Sequence, residues 1–206
     1  VLVINDGSKD NTTEIAEKAG AHVVSNKINR GLGVTFRKGL RNALSMGADI
    51  IVNVDADGQY NPEDIPKIVE PIINDEADMV LGSRMENLKY NMPFVKKVGN
   101  KFMTKLLSLI TGTKIHDGQT GFRGFSKTLA QTLLVFLKGE YTYTQETLIH
   151  AIFNEFRIHQ IEIDFNAREH GESRLIKNAL NYFINAGRIL ISTYKYYKPM
   201  KFFGFV

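Results

Sequence analysis

Short apolar runs that end in polar or turn-forming residues constrain the fold of this 206-residue chain more than any other feature. These runs occupy residues 1–4, 21–25, 49–54 and 79–81. Runs of this length predict strands, and the run at 49–54 is too apolar for a strand with one wet face. Helical patterns lie between them, as in 34–46, which ends at Gly47. The alternation predicts an α/β fold with a doubly wound, mostly parallel sheet flanked by helices.

Capping signals indicate where two of the helices begin. Asn11 followed by Glu14 fits a capping box, and Gly20 fits the end of the same helix. Asn61-Pro62 places a capping side chain before a proline at the first helical position. We therefore expect helices to follow both Asn11 and Asn61.

Polar side chains follow three of the predicted strands. Asp55 comes directly after an apolar run, Asp6 follows one after Asn5, and Arg84 follows one after Gly82-Ser83. In doubly wound sheets the ligand site lies beyond the carboxyl ends of the strands. The three residues are therefore predicted to line a substrate crevice.

The segment Asp55-Ala56-Asp57-Gly58-Gln59 carries the strongest chemical signal. Alternate side chains of extended backbone share one face, so the two carboxylates and the carboxamide of Gln59 could point together. Mg²⁺ or Mn²⁺ bound by one or two carboxylates completes its shell with water and phosphate oxygens. The segment predicts a metal site for a diphosphate, and an Asx turn is the structural alternative.

Asp6 and Arg84 each allow a functional and a structural interpretation. The Asp6 carboxylate could accept hydrogen bonds from a nucleobase N–H or a ribose hydroxyl, or it could belong to an ordinary turn. The Arg84 guanidinium suits bidentate phosphate binding, and an ordinary surface arginine is the alternative.

Composition sets wider limits. Hydrophobic residues make up 43% and charged residues 23%, which is typical of one globular domain. Without cysteine, any metal must have oxygen or imidazole ligands. The net charge of +4 is concentrated from Arg168 onward, where seven Lys or Arg stand against two Glu. Such a basic, aromatic-rich end favours anionic lipid headgroups over nucleic acid, and no run has the length of a spanning helix.

Two basic segments could contact a membrane. One is an amphipathic helix whose apolar residues recur every four positions, with Lys97, Lys101 and Lys105 on another face. The apolar residues are Phe94, Val98, Phe102, Leu106 and Ile110. We expect that row to face the core, and the alternative is a helix that rests on the membrane or guards the acceptor entrance.

The other basic segment is a predicted long helix over 175–198, which follows a predicted strand over 157–163. Three tyrosines near its end alternate with lysines as in interfacial anchors, and packing onto the protein is the alternative. They are Tyr194, Tyr196 and Tyr197, with Lys195 and Lys198 between and after them.

With these motifs in place, the chain resembles the polyprenyl-phosphate (dolichyl-phosphate) mannosyl and glucosyl synthases of glycosyltransferase family 2. The motifs that carry the resemblance span nearly the whole chain. They are Asn5-Asp6-Gly7-Ser8, Asp55-Ala56-Asp57, Gly82-Ser83-Arg84, Thr120-Gly121-Phe122-Arg123, and Arg168 with Gly171-Glu172-Ser173-Arg174. The resemblance implies a GT-A-type catalytic domain over 1–174 and a C-terminal amphipathic juxtamembrane helix over 175–206.

The resemblance also implies roles for individual residues. The metal ligands would be Asp55, Asp57 and Gln59. The nucleotide-sugar would contact Ile4, Asp6, Asp55, Ala56, Asp57, Arg84, Arg168 and Arg174. The acceptor phosphate would contact Arg84, Arg123 and Arg174.

The sequence departs from the family pattern at three places. Asn5 replaces the first Asp of its motif, and Arg174 stands where Lys is usual. The family's opening strand and the loop after it have no counterpart before Val1. A protein that starts at Val1 is therefore expected to be less stable and to bind nucleotide weakly.

The expected activity is inverting transfer of a hexose from a GDP- or UDP-sugar to a polyprenyl phosphate. The enzyme would be membrane-associated at the cytoplasmic face, depend on Mg²⁺ or Mn²⁺, and have no nucleic-acid partner. Because a phosphate monoester is already largely anionic near neutral pH, a strong base is less necessary than for a hydroxyl. Asp117 and Glu146 are the candidate bases, beside Asp55, Asp57 and Arg84 as catalytic residues.

Two other functions remain open at this point. One is a related transferase that extends a saccharide or cell-surface polymer from the same donor site. The other is a non-catalytic, membrane-associated nucleotide-sugar binder.

Overall fold

The structure is a computed structural model that describes residues 1–84, 94–137, 143–166, 187–188, 191–192 and 194–204, with the side chains of 94–97 left out. Predictions for Arg168, Arg174 and most of the 175–198 helix lie outside these residues.

The amino-terminal part is a parallel two-stranded sheet with two helices. Its elements are β1 (Leu2–Asn5), α1 (Thr12–Lys18), β2 (His22–Ser25) and α2 (Leu32–Ser45). β1 and β2 pair in parallel. The predicted strand–helix order is confirmed, although the α1 cap differs, because Asp10 Oδ1 and not the Asn11 side chain accepts from the Thr12 N–H.

A four-stranded sheet carries the rest of the fold. Its strands are β3 (Ile50–Asn53), β4 (Met79–Ser83), β5 (Arg123–Ser126) and β6 (Ile158–Glu162), in the order β3-β5-β4-β6. β4 and β6 are parallel, whereas β5 runs antiparallel to both β3 and β4. The α/β class is confirmed, and β5 is the strand that interrupts the parallel arrangement.

Helices connect these strands, and a short helix follows the last strand. They are α3 (Ile65–Ile73), α4 (Phe94–Thr111), α5 (Lys127–Phe136), α6 (Tyr143–Phe153) and α7 (Pro199–Phe203). A 3₁₀ turn (Pro62–Asp64) precedes α3, and Asn61 Oδ1 accepts from the Glu63 N–H. The predicted helix start at Asn61 is confirmed.

The core lies on both faces of the second sheet. Met79 and Leu81 pack in the cluster with α2, α4, α5 and α6, while Val80 between them packs in the cluster that includes Ile68 of α3. Successive side chains of a strand point to opposite faces. All five residues of β4 are buried, so this strand joins the two clusters.

α4 faces the core with a different row of residues from the one predicted. The buried residues are Asn100, Met103, Thr104 and Leu107, whereas Val98 and Phe102 are 48% and 62% exposed. The prediction of an apolar core-facing row was therefore wrong for Val98 and Phe102. Polar contacts explain the rotation, because Asn100 and Thr104 hydrogen-bond residues of the loop before β5. Among the described residues, no helix is long and apolar enough to cross a membrane.

Candidate active site

Four chain segments meet at one edge of the second sheet. Asp55 and Arg84 follow the carboxyl ends of β3 and β4, and Phe165 follows that of β6. Because β5 runs the other way, its amino end and the preceding loop lie at the same edge. The structure therefore places Asp55 and Arg84 on either side of the segment 117–122.

The Asp55 loop is fastened to that central segment. Asn53 Nδ2 donates to the Gly121 carbonyl over 2.8 Å, and the Gly121 N–H donates to the Tyr60 hydroxyl over 2.9 Å. A Cβ at Gly121 would lie only 2.6 Å from Asp55 Oδ2. Gly121 is therefore required if the Asp55 carboxylate is to lie against the backbone.

Asp57 and Gln59 shape the rest of this loop. Asp57 Oδ1 accepts from the Gln59 N–H over 3.2 Å, so the turn considered as an alternative is present. Gln59 Nε2 donates to the Asn166 carbonyl, and the Asn166 N–H donates to the Gln59 carbonyl. The loop is thus held against the segment that leads towards Arg168.

The oxygen donors of this loop fit a hard divalent ion. Asp55 is exposed and Asp57 is half-buried, so neither carboxylate is closed off from a ligand. No cluster of three or more His, Asp or Glu suited to a metal occurs within the described ranges. Two carboxylates and an amide oxygen suit Mg²⁺ or Mn²⁺ only when water and substrate phosphate complete the shell.

Arg84 is held by a buried carboxylate. Its Nε donates to Asp117 Oδ2 over 2.7 Å and its Nη2 to Asp117 Oδ1 over 3.0 Å. The Asp117 side chain is 1% exposed and that of Arg84 is 12% exposed. Such a bidentate pair fixes the guanidinium plane, and the Arg84 side chain is not completely buried.

The contacts of Asp117 do not favour its predicted role as a base. Burial alone would raise its pKa, but the Arg84 charge and hydrogen bonds from Arg84, the Gln119 N–H and Asn100 Nδ2 lower it below the ordinary value. A carboxylate so stabilised is a weak proton acceptor. The structure shows that Asp117 holds the Arg84 guanidinium, and its role as a base stays a prediction.

An aromatic cluster forms the floor between the two charged groups. Tyr60 packs on Phe122 and Phe165, and the Arg84 guanidinium lies 5.1 Å from the Phe165 ring centroid. Burial raises the Tyr60 pKa, the Arg84 charge lowers it and the Asp55 charge raises it, with a net increase. The strand order places the Asp55 carboxylate and the Arg84 guanidinium at the same edge of the sheet, beside this aromatic cluster.

Arg123 does not reach this crevice. Its side chain is completely buried and donates to the carbonyls of Thr120, Gly118 and Thr144 and to the Thr147 hydroxyl. Burial lowers its pKa to about 10. Arg123 thus joins the loop before β5 to α6, and its burial does not favour the predicted contact with an acceptor phosphate.

Asp6 organises the turn between β2 and α2. Its carboxylate accepts from Asn26 Nδ2 and from the Arg30 and Gly31 N–H groups over 2.8–2.9 Å. Burial raises its pKa, but these hydrogen bonds outweigh burial and lower it overall. The predicted nucleotide contact stays a prediction, and the structure adds a structural role.

Asn5, which replaces the first Asp of the family motif, makes two side-chain hydrogen bonds. Its Oδ1 accepts from the Ser8 N–H and its Nδ2 donates to Thr13 Oγ1. An amide supplies both a donor and an acceptor, whereas an ionised Asp only accepts. Asn5 therefore fixes the turn before α1.

The structure locates three of the remaining predicted residues, but it does not test their functional roles. Ile4 lies against α2, where a Cβ at Gly39 would be 3.4 Å from Ile4 Cγ1. Ala56 is exposed, and Glu146 is 4% exposed on α6. Their predicted roles stay predictions, as do those of Arg168 and Arg174.

Sequence reasoning missed several supporting residues. Tyr60, Asn53, Asn100 and Phe165 hold the crevice together through the contacts described above. Tyr60 directly follows the Asp55 motif, and Asn53 is a polar residue in an apolar strand, so both carried a signal. Asn100 and Phe165 carried none, because their partners are distant in sequence.

Comparison with known proteins identifies the family. The sequence profile described as "Glycosyl transferase family 2" matches residues 1–134. The chain belongs to glycosyltransferase family 2.

Two relatives match most of this family 2 chain. The UDP-N-acetylglucosamine–dolichyl-phosphate N-acetylglucosaminyltransferase of Methanococcus voltae is 35% identical over 194 residues, covering 84% of this chain and 77% of that protein. The dolichyl-phosphate hexose transferase of Haloferax volcanii is 31% identical over 178 residues, covering 84% and 73%.

The fold also matches that of a solved glycosyltransferase. Glucosyl-3-phosphoglycerate synthase from Mycobacterium tuberculosis, crystallised with Mn²⁺, UDP and phosphoglyceric acid, aligns with a TM-score of 0.67. The identity is 18%, over 95% of this chain and 66% of that chain. This likeness shows the GT-A-type fold.

Proposed function

We propose that this family 2 glycosyltransferase transfers a hexose or N-acetylhexosamine, with inversion, from a nucleoside-diphosphate sugar to a polyprenyl phosphate. Both relatives have dolichyl phosphate in their names, together with N-acetylglucosamine in one and hexose in the other. The acceptor class is thus common to these two relatives, each of which matches 84% of this chain, whereas the sugar differs between them.

One geometric observation carries the proposal. The Arg84 guanidinium, held by Asp117, and the Asp55 carboxylate, which lies against Gly121, are on either side of the segment 117–122 at the edge of the sheet. A reaction with a diphosphate leaving group needs fixed positive charge and metal-binding oxygens around the same phosphates. The crevice supplies both.

Each residue of the crevice then has a defined task. Arg84 binds a phosphate oxygen of the donor or acceptor, and Asp117 keeps the guanidinium in place. Asp55, Asp57 and Gln59 would hold Mg²⁺ or Mn²⁺, whose charge stabilises the departing diphosphate. Tyr60 and Gly121 position the Asp55 loop.

The nucleophile explains why a strong base is not required. A phosphate monoester carries between one and two negative charges near neutral pH, so its oxygen can attack the anomeric carbon directly. A single displacement inverts that carbon. Glu146 remains the candidate base should the acceptor be a hydroxyl.

A radiolabelled transfer assay tests the proposal. The protein is incubated with GDP- and UDP-hexoses and UDP-N-acetylglucosamine, with a short polyprenyl phosphate or a free saccharide as acceptor. We expect label in the lipid phosphate with one donor, and loss of transfer in Asp57→Asn without loss of the folded structure. Transfer only to the saccharide, or full activity in Asp57→Asn, contradicts the proposal.

The proposed place of action is a membrane surface at the cytoplasmic side. A polyprenyl phosphate is membrane-bound through its chain, so the crevice must come close to the lipid headgroups. The donor nucleotide-sugars are water-soluble, so the crevice must stay open to solvent on its other side.

A further inference from the structure

α4 has two chemically different faces. Its inner face packs on the core through Met103 and Leu107. Its outer face is a row spaced at i, i+3, i+4, i+7 and i+11, which keeps all members on one side of a helix. We call this row the α4 outer stripe, and it consists of Val98, Lys101, Phe102, Lys105 and Leu109.

The α4 outer stripe is largely exposed. Val98, Phe102 and Leu109 are 48%, 62% and 80% exposed, and both lysines are exposed as well. Single exposed apolar residues are ordinary, but a contiguous row of large ones marks an interaction surface. Three such side chains on one helix face therefore indicate that this face binds a partner.

The stripe continues into the C-terminal segment 194–204. Leu109 lines a cleft of about 420 Å³ together with Phe153, Glu155, Tyr194, Lys198 and Lys201. Beyond the cleft, Met200 and Phe203 are 83% and 58% exposed. The two segments thus form one surface of exposed apolar and lysine side chains.

Tyr197 fixes the C-terminal segment in this position. Its hydroxyl lies 2.7 Å from His150 Nδ1 and 2.9 Å from Asn154 Nδ2, and its ring stacks on Phe153 at 4.7 Å. Packing, the alternative considered for these tyrosines, therefore applies to Tyr197. Tyr196 is 67% exposed and remains available as an interfacial anchor.

Charge decides which partner fits the surface. α4 contains four Lys and the segment 194–204 contains three, neither contains Asp or Glu, and Glu155 is the one acidic residue among the described residues that line the cleft between them. A second copy of this chain would bring these lysines against one another. An anionic bilayer instead accepts apolar side chains at the headgroup boundary and attracts lysines to its phosphates.

We infer that the α4 outer stripe and the segment 194–204 form the surface on which this protein lies on an anionic bilayer. The inference rests on the proposed function, because a membrane-bound acceptor requires such a surface. Beyond that function, it specifies which face of the protein contacts the lipid.

The inner side of α4 relates this surface to the crevice. Asn100 Nδ2 donates to Asp117 Oδ1, and Asp117 holds Arg84. A helix with its side chains is about 10–12 Å across. The lipid surface and Arg84 are therefore separated by roughly one helix, a span that an emerging lipid phosphate can reach.

Vesicle co-sedimentation tests the inference on the whole protein. Vesicles of phosphatidylcholine, with or without an equal part of phosphatidylglycerol, are mixed with wild type, Phe102→Glu/Leu109→Glu and Lys101→Glu/Lys105→Glu. Val135→Glu on α5, where valine is 76% exposed, is the matched apolar control, and Arg41→Glu on α2 is the charge control.

We expect both stripe variants to bind phosphatidylglycerol vesicles about tenfold or more weakly than wild type. Both controls should bind like wild type, and circular dichroism should show that all variants are folded. Unchanged binding in the stripe variants, or equal losses in the controls, overturns the inference. A self-associated form in ultracentrifugation that the stripe variants abolish, without vesicle binding, also overturns it.

Turnover separates this inference from the proposed function. With a short polyprenyl phosphate in detergent, the stripe variants should retain wild-type transfer, and with the same acceptor in vesicles they should lose it. Wild-type transfer in vesicles by the stripe variants defeats the inference alone. Absence of transfer by wild type in both media, with stripe-dependent vesicle binding, defeats the proposed function alone.

Discussion

Arg84 and Arg123 lie near the same edge of the sheet, yet their contacts give them different tasks. Arg84 is paired to one carboxylate and remains partly exposed, whereas Arg123 is fully buried and donates mainly to backbone carbonyls. A guanidinium that satisfies buried carbonyls supports the fold, and one at the rim of a crevice can bind a ligand.

Replacement of each arginine by lysine should separate these tasks. Arg123→Lys removes donors from several buried carbonyls and should reduce the free energy of unfolding by about 3 kcal/mol or more. Arg84→Lys should stay folded but weaken donor binding about tenfold, because lysine cannot form the planar bidentate contact. Urea denaturation and donor titration measure the two effects. A stable Arg123→Lys protein that no longer binds donor would reverse the assignment.

Asp117→Asn should be far more damaging than the same change in a surface ion pair. The substitution leaves Arg84 without its buried counter-charge, and breaking a buried pair costs about 3–5 kcal/mol. Asp49→Asn provides the control, since Asp49 pairs with Lys127 while 81% exposed, and such pairs contribute about 0–1 kcal/mol. Equal losses in urea denaturation would show that burial of Asp117 adds nothing.

The positions of these charged residues were easier to predict from the sequence than their roles. Asp55 and Arg84 were expected at strand ends and lie there, because a polar residue after an apolar run is a local signal. The burial of Asp117 and Arg123 depends on α4 and α6, which pack on them from distant parts of the chain. No local pattern contains that information.

At the scale of elements, β5 and the two helices that follow it, α5 and α6, were not predicted. β5 has only four residues, two of them Arg123 and Gly124, so it lacks an apolar run. A Cβ at Gly124 would lie 2.7 Å from Ile68 Cγ2, which shows that glycine admits α3 against the strand. The strand exists because it completes the pairing of β3 and β4, and that requirement is not local.

The turn after β1 offers a test of local geometry. Gly7 has φ 76°, and a Cβ there would lie 2.6 Å from the Ile28 carbonyl carbon. Gly20 has a similar φ of 82° but nothing within 4 Å of such a Cβ. Gly20→Ala should therefore cost about 1–2 kcal/mol from the left-handed backbone alone.

Gly7→Ala should cost more than Gly20→Ala, by about 1 kcal/mol or more, because the turn must also move away from Ile28. Since the Asp6 carboxylate holds the same 26–31 segment, nucleotide affinity should fall in Gly7→Ala only. Thermal melts and nucleotide titration check both effects. Identical stabilities would mean that the turn accommodates a methyl group freely.

At the scale of the whole molecule, one arginine links two turns that are distant in sequence, the turn before β6 and the turn between α3 and β4. Arg157, before β6, hydrogen-bonds the Asp78 carboxylate before β4 and the Asp75 side chain after α3. The Asp78 N–H and the Met79 N–H also donate to the Arg157 carbonyl. These contacts set the register in which β4 and β6 pair, at the edge of the sheet opposite the crevice.

The stability that Asp78 contributes should depend on pH. Burial raises the Asp78 pKa, but hydrogen bonds and the charge of Arg157 lower it overall. A carboxyl group whose pKa is lower in the folded state stabilises the fold above its unfolded pKa of about 3.9. That contribution disappears as the pH falls through the folded value, because both states are then protonated.

Asp78→Asn should therefore melt about 2–4 °C below wild type near neutral pH, and this difference should shrink below about pH 4. The expected effect is small because the Arg157–Asp78 pair is partly exposed, and solvent screens the attraction between the two charges. Melting curves followed by circular dichroism from about pH 7 to about pH 3 measure the difference directly. A gap that stays constant over this range would mean that the Asp78 charge does not stabilise the fold, and that the asparagine acts through packing alone.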